Sequence, residues 1–311
     1  MQKITLLALT ATIMLAVGCV KNTDEFVEYI SIDSYFDSAE DVEVVTTFTA
    51  EDGLTYTSDT GVKIEVPPSA LNDGNGKSVT GLVAVHFTIL TDIADLIRYN
   101  FNTEGVNGLL DAHSVAYLSF SQQGKSLSTD ADNKPTVYMP YNLPSDGALL
   151  YSLSDSGWLQ ISDGESSALL PTVYTINTDG APQDIRGYKI QPTVLGWLNV
   201  AEPLAANDGS YTICAQLPED HNNVNSVVYG SLDGYTSLLS MVYKSEKMLF
   251  CGEIVNPAPG SSILLIAISD QGNTGQYNFG TKSAILESST TELIRPVLKS
   301  QAEIVEILED L

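Results

Sequence analysis

Short apolar runs of alternating pattern, separated by turn residues, restrict what this chain can fold into. In "GVKIEV" (61–66) and "GLVAVHFTIL" (81–90), every second residue is apolar, so the apolar side chains share one face of an extended strand. Turn-forming segments such as "NDGNG" (72–76) lie between these runs. Alternation with a period of two and frequent turns is typical of antiparallel sandwiches and barrels. The sequence therefore predicts an all-β fold.

The second half of the chain repeats this pattern of short strands. One run, "SSILLIAIS" (261–269), is apolar on both faces, which predicts a central strand that is covered on both sides. No segment before Pro296 shows a sustained helical period. The fold class predicted from these patterns is two antiparallel β-sandwich domains, Ig-like in architecture, with a short C-terminal helix.

The helix is predicted from the last residues of the chain. Ile304, Leu308 and Leu311 recur at the spacing of one helical face, whereas the preceding strands alternate. Ser300 and Glu303 have the spacing of a capping box, in which each side chain bonds to the backbone of the other residue. We expect this helix to pack on the last sandwich.

The first residues have the pattern of a secretory signal peptide. Lys3 precedes an almost continuously apolar run, Ile4 to Val17. This run is shorter than the about 20 apolar residues of a membrane-spanning helix, and small residues precede Cys19, as at signal-peptide cleavage sites. "LAVGC" (15–19) resembles the lipobox of bacterial lipoproteins. The resemblance implies that residues 1–18 are removed and that Cys19 is lipidated; the alternative is an ordinary signal peptide with a chance cysteine.

The residues after Cys19 predict the membrane to which the protein is anchored. Val20 stands where an aspartate would resemble an inner-membrane retention signal, so the expected location is the outer membrane. "KNTDEF" (21–26) resembles a charged signal for surface display in some Gram-negative lipoproteins, although an acidic linker is the alternative. Residues 19–36 lack clean periodicity and are interpreted as a tether. A bacterial lipoprotein carries several acyl chains, and two or more chains anchor a protein stably.

The charge of the chain limits the partners that it can bind. The formal net charge is -25, which argues against nucleic acid, because phosphates attract Lys and Arg. The same charge repels anionic headgroups and favours solubility. The expected partners are the membrane, through the Cys19 lipid, and envelope proteins or glycans.

A longer segment resembles a known family. "GVKIEVPPSALNDGNGKSVTGLVAVHFTIL" (61–90) is similar to the opening of ZU5-like β-sandwich domains in extracytoplasmic bacterial lipoproteins. "SFSQQGKSLSTD", "KPTVYMPYN" and "GYKIQPTVLGWLN" resemble the segments that follow it, so the resemblance covers roughly residues 53–200. The chain departs from the pattern at Val200, where Cys-Asp is common. The resemblance implies an extracytoplasmic β-sandwich of largely uncharacterised role and brings no catalytic residues.

The two sandwiches are expected to meet at a turn near residue 145. "NLPSDG" (142–147) follows a strand and contains Pro, Asp and Gly, which suits a boundary in an exposed turn. The alternative boundary is "AEPLAANDG" (201–209), and the choice depends on where the strand with Trp197 packs. The predicted division is a ZU5-like sandwich at 37–145 and a second sandwich, with the helix, at 146–311.

No catalytic pattern is present in the sequence. It lacks G-x-S-x-G, H-E-x-x-H and C-x-x-C, so we predict no catalytic residues, no metal and no cofactor. Asp111 lies two residues before His113, which leaves a hydrolase as one alternative. A second histidine beside an aspartate is His221, which directly follows Asp220. The acidic loops are interpreted as turns, because neither has the calcium-binding spacing of an EF-hand.

Two cysteines and two tryptophans complete the candidate residues. Cys214 and Cys251 lie in predicted strands and would form a disulfide in an oxidising envelope if those strands are neighbours. The alternative is two separate thiols. Trp158 and Trp197 are interpreted as core residues. The resulting hypothesis is a non-enzymatic, lipid-anchored outer-membrane protein with a binding or structural role; the alternatives are a carbohydrate-binding accessory of glycan uptake and a hydrolase.

Overall fold

The computed structural model describes residues 31–36, 42–161, 169–178, 181–204, 209–255, 257, 260–272 and 275–311. The predicted signal peptide, Cys19 and most of the predicted tether lie outside these residues. Ser31–Leu311 forms one compact unit.

Twenty-four strands, two α-helices and one 3₁₀ turn (Ile32–Tyr35) make up this unit within the described residues. The strands up to Pro203 are β1 Val44–Thr49, β2 Leu54–Thr57, β3 Lys63–Val66, β4 Leu71–Asn72, β5 Leu82–Leu90, β6 Glu104–Gly105, β7 Gly108–Gln122, β8 Lys125–Ser126, β9 Ser128–Thr129, β10 Thr136–Pro140, β11 Leu149–Ser154, β12 Gly157–Gln160, β13 Leu169–Thr178, β14 Ala181–Ile190 and β15 Gly196–Pro203. The later strands are β16 Ser210–Gln216, β17 Ser226–Leu232, β18 Leu239–Ser240, β19 Val242–Lys244, β20 Leu249–Val255, β21 Ser262–Ser269, β22 Gln276–Ile285, β23 Thr290–Leu293 and β24 Val297–Ser300. The helices are α1 Ile93–Arg98 and α2 Gln301–Glu309.

Four large sheets contain nearly all of these strands. Sheet A has the order β1-β5-β7-β15-β11-β12-β6, with β8 paired to β7, and sheet B has the order β13-β14-β10-β3-β2. Sheet C has the order β18-β17-β21-β22-β24, and sheet D has the order β19-β20-β16-β23. A two-stranded pair, β4-β9, accompanies them. The all-β fold predicted from the alternation is confirmed.

Three apolar cores stack these sheets in the order B, A, C, D. The first core lies between sheets B and A, the second between A and C with both helices, and the third between C and D. Sheets A and C are therefore covered on both faces. In β21, Leu265 enters the third core and Ile266 enters the second. This confirms that the run at 261–269 forms a central strand.

The strands before Pro203 and the strands after Ser210 belong to different sheets. All strands up to β15 belong to sheets A and B or to the β4-β9 pair, and all strands from β16 belong to sheets C and D. The predicted boundary at 145 does not coincide with this change, because it would separate β7 from β15, which pair along eight positions. The pairings favour the alternative at 201–209. The division into two domains stays a prediction.

The helix at the end of the chain begins where the sequence indicated. The Ser300 side chain accepts from the Glu303 N–H and the Glu303 side chain accepts from the Ser300 N–H, which is the predicted capping box. Ile304 and Leu308 are buried, but Leu311 is 56% exposed and lies beyond the helix. The pattern did not predict α1, because six residues are too few to establish a helical period. Within the described residues, no helix is long and apolar enough to span a membrane.

A polar side chain of β15 is fully buried. Asn199 on β15 is 0% exposed, and neither atom of its amide group has a hydrogen-bond partner among the described residues. A buried polar group without a partner costs about 1–3 kcal/mol.

We therefore expect Asn199→Leu, which is similar in volume and apolar, to raise the free energy of unfolding by about 1–3 kcal/mol. Urea unfolding followed by far-ultraviolet circular dichroism would measure this change. Asn72→Leu is the matched control, because the Asn72 side chain donates to Asp130 (3.3 Å) and should not become more favourable when replaced. An Asn199→Leu protein no more stable than the wild type would show that the amide is not a net cost.

Candidate functional site

His113 occupies an irregular position in the longest strand. Along the pairing of β7 with β15, Val200 lies opposite Ser114 and Ala201 lies opposite Ala112, so His113 is the extra residue of a β-bulge. Bulges redirect side chains and are frequent beside functional sites. The His113 ring is buried and stacks on Tyr141, with ring centroids 4.3 Å apart.

The hydrogen bonds of Tyr188 determine the tautomer of His113. The Ser145 N–H donates to the Tyr188 hydroxyl oxygen at 2.8 Å, and this oxygen lies 2.8 Å from His113 Nδ1. Since no other acceptor for the hydroxyl hydrogen is found among the described residues, Tyr188 donates to Nδ1. The proton of the neutral imidazole is then on Nε2, which lies 3.9 Å from Asp111 Oδ2.

Two carboxylates face each other beside this histidine. Asp111 on β7 lies directly opposite Glu202 on β15, and like charges in this position are destabilising. Burial raises the pKa of Asp111. The Thr236 N–H donates to Asp111 Oδ1 at 2.9 Å, and this hydrogen bond acts to lower the same pKa. Burial lowers the pKa of His113, although Asp111 and Glu202 act in the opposite direction.

The hydrolase hypothesis required a nucleophile beside His113. The structure brings Asp111 and His113 together, but the hydroxyl that contacts the imidazole belongs to Tyr188, which is 0% exposed. Burial raises the pKa of Tyr188 to about 12, so this hydroxyl is a neutral phenol at physiological pH. The cluster therefore supplies no accessible activated nucleophile through His113.

A groove of about 490 Å³ begins at the exposed side of this cluster. We call it the junction groove, because its walls come from sheet A, sheet C and α2. It is lined by Thr91, Asp92, Ile93, Asp111, Tyr141, the turn 231–236, Ser262, Leu264, Ser283, Leu308, Glu309 and Leu311. Four of these side chains are carboxylates, two are tyrosines and several are hydroxyls, and none is Lys, Arg or His.

The other two histidines have local partners. His86 lies 3.2 Å from the Val42 carbonyl and 3.1 Å from Ser121 Oγ. His221 Nδ1 lies 2.8 Å from Asp220 Oδ1. Both therefore take part in contacts away from the junction groove.

The acidic loops are turns, as the sequence suggested. The Asp73 carboxylate accepts from the N–H groups of Asn75 and Lys77, and these bonds lower the pKa of Asp73. Asp130 accepts from the N–H groups of Asp132 and Asn133 in the same way. No group of three or more metal-binding side chains occurs among the described residues.

Cys214 and Cys251 are joined by a disulfide. They lie directly opposite each other on β16 and β20, the two central strands of sheet D. The alternative of two separate thiols does not describe this structure. Trp158 and Trp197 both lie in the second core, 0% and 9% exposed, so their interpretation as core residues is confirmed.

No known family model matches the chain, and no curated protein matches it significantly. The ZU5-like resemblance therefore stays a prediction.

The lowered pKa of His113 predicts a pH-dependent stability. Below the ordinary imidazole pKa of 6.5, the unfolded chain takes up a proton at His113 that the folded protein resists. Stability should therefore fall as the pH decreases through 6.5. We expect the wild type to lose more stability than His113→Gln between about pH 7.5 and 5.5, a window around the imidazole pKa, as measured by urea midpoints.

The variant keeps the other groups that face the imidazole: Asp111, Glu202, Tyr141 and Tyr188. Burial raises the pKa of Asp111 in both proteins, and this contribution acts in the opposite direction, because the folded state binds that proton more readily. The difference between the two curves therefore reports His113 together with its interaction with Asp111. Parallel curves over this range would refute its role.

Proposed function

We propose that this protein is a lipid-anchored outer-membrane protein that binds a small ligand in the junction groove. The groove carries the binding part of this proposal. Its volume, about 490 Å³, is within the about 300–1,000 Å³ typical of ligand sites, which favour the interfaces between structural units. The lipobox at Cys19 supports the anchor, and Val20 supports the outer membrane as its location.

The walls of the groove are held together by the protein itself. The Ala112 N–H donates to the Thr236 carbonyl at 2.9 Å, and the Thr236 N–H donates to Asp111 Oδ1 at 2.9 Å. The second core also joins sheets A and C behind the groove. A preformed site reduces the entropy that binding must overcome.

The lining determines which ligands fit. Asp92, Asp111, Asp233 and Glu309 supply acceptors and negative charge, and no basic side chain balances them. Anionic ligands are therefore disfavoured, whereas ligands rich in O–H or N–H donors are favoured. Tyr235, which is 47% exposed, offers a ring face. These features favour a neutral or amine-bearing sugar, which makes the carbohydrate-binding role the more specific form of this proposal.

Binding of neutral sugars, amino sugars and uronic acids to the full chain would test this function by calorimetry. We expect neutral or amino sugars to bind and uronic acids not to bind. Asp233→Asn should weaken binding about tenfold or more, since a hydrogen bond to a charged group contributes about 1.5–3 kcal/mol. Asp52→Asn is the control, because Asp52 is an exposed turn residue that does not line the groove. The groove proposal fails if no sugar binds, or if Asp233→Asn binds as the wild type does.

The absence of catalysis and of a cofactor stays a prediction. A hydrolase would need a reactive group elsewhere, since His113 contacts a buried phenol. If the protein hydrolysed a bound sugar and the His113→Ala variant lost this activity, the hydrolase alternative would be supported.

A further inference from the structure

Strand β13 presents a long free edge at one end of sheet B. It has ten residues, Leu169–Thr178, whereas strands are usually about 5–6 residues long. It pairs with β14 along its whole length, and no other strand of the described residues pairs with it. A free edge offers a row of N–H and C=O groups to another strand.

Beyond Pro171, this edge carries no charged residue that would protect it against pairing. Edge strands are commonly protected by charged side chains, but "LLPTVYTINT" contains none. Pro171 has no N–H, so the edge available for continuous pairing is residues 172–178. Val173 is 61% exposed and Leu143, across a shallow groove, is 77% exposed. The edge strand is therefore long and without charges of its own, and the groove beside it is lined by exposed apolar residues and by Arg186 of β14.

Electrostatics identify the kind of partner that can approach this edge. The chain has a formal net charge of -25, so two copies repel each other over most of their surfaces. The β13–β14 hairpin, residues 169–190, contains two aspartates, one arginine and one lysine and is formally neutral. A second copy that approaches this hairpin therefore meets less net charge than it meets over the chain as a whole.

The strand is also complementary to itself. If residues 172–178 pair antiparallel with the same residues of another copy, Thr175 lies opposite Thr175 and Tyr174 lies opposite Ile176. Pairs of an aromatic with a β-branched residue are favourable across strands, and each Thr175 hydroxyl keeps its hydrogen bond to Asp184 of its own copy (2.7 Å). No like charges oppose each other, and the pairing has the two-fold symmetry of most homodimers.

We propose that two copies associate through β13, antiparallel and centred on Thr175, to extend sheet B across both protomers. This inference is independent of the junction groove and of the ligand proposed for it.

Disulfide trapping would test the register. Thr175→Cys is made in the full chain, two copies with different tags are expressed together, and their membranes are oxidised with copper-phenanthroline. We expect a covalent dimer that carries both tags on a non-reducing gel. Thr57→Cys is the matched control, because Thr57 is an exposed threonine on β2, the other edge of sheet B. It should give no dimer.

A second measurement protects the test against a folding defect in the cysteine variant. The wild-type chain in mild detergent should sediment as a dimer, Thr175→Lys as a monomer, and Thr57→Lys as a dimer. A monomeric wild type would overturn the proposal, as would equal cross-linking at Thr57 and Thr175. A Thr175→Cys adduct containing a different protein would also overturn it.

Discussion

Gly187→Ala is expected to destabilise the protein by about 3 kcal/mol or more, the upper range for overpacking. An added Cβ at Gly187 would lie 2.0 Å from the Met139 carbonyl oxygen and 3.0 Å from the Pro140 Cα. Both atoms belong to the backbone of β10, which pairs with β14 at this point. Since a backbone atom cannot move away as a flexible side chain can, the two strands would have to separate.

Gly74→Ala is the matched control for this substitution. Nothing lies within 4 Å of an added Cβ at Gly74, an exposed turn residue. We expect Gly74→Ala to unfold at the wild-type urea concentration and Gly187→Ala at a much lower one, or to be insoluble. Equal midpoints for the two variants would show that β10 and β14 do not approach as closely as described.

Trp158→Ala should cost about 3–5 kcal/mol, the usual range for removing a buried aromatic side chain. Trp158 is 0% exposed in the second core. Its indole Nε1–H donates to the Asn102 carbonyl at 2.7 Å. Both the packing and this hydrogen bond are lost in the alanine variant, and chemical denaturation would measure the sum.

Trp158→Phe separates these two contributions. It keeps an aromatic ring and removes the indole donor, so we expect a smaller loss than for alanine. Because the second core joins sheets A and C, Trp158→Ala should also lower the stability of strands on both sides of residue 205. Hydrogen exchange would detect this, and a loss of protection confined to one side would contradict the shared core.

Local patterns in the sequence predicted the parts of the fold that depend on alternation. The buried faces of β3 and β5, the doubly covered β21 and the capping box at Ser300 each follow from residues that are close in sequence. The pairing of Cys214 with Cys251 was predicted with two separate thiols as the alternative, because spacing does not establish which strands are neighbours.

The candidate site depends on features that local patterns do not contain. The bulge at His113 is a mismatch between two strands that are about 85 residues apart in sequence. The junction groove brings together the turn 231–236, Asp111 and Glu309, which only the stacking of four sheets places side by side. The predicted boundary at 145 relied on one favourable turn, whereas the pairing of Trp197 on β15 with Tyr117 on β7 is a long-range contact.

The lipid anchor is the claim on which the proposed location of this protein depends, and mass spectrometry of the mature N-terminus tests it most directly. The full chain would be expressed in a Gram-negative host and purified from the membrane fraction. We predict an N-terminal peptide that begins at Cys19 and carries acyl chains on that residue, and a Cys19→Ala chain that lacks them and leaves the membrane. An unmodified N-terminus at another residue, or unchanged membrane partition of Cys19→Ala, would contradict the account.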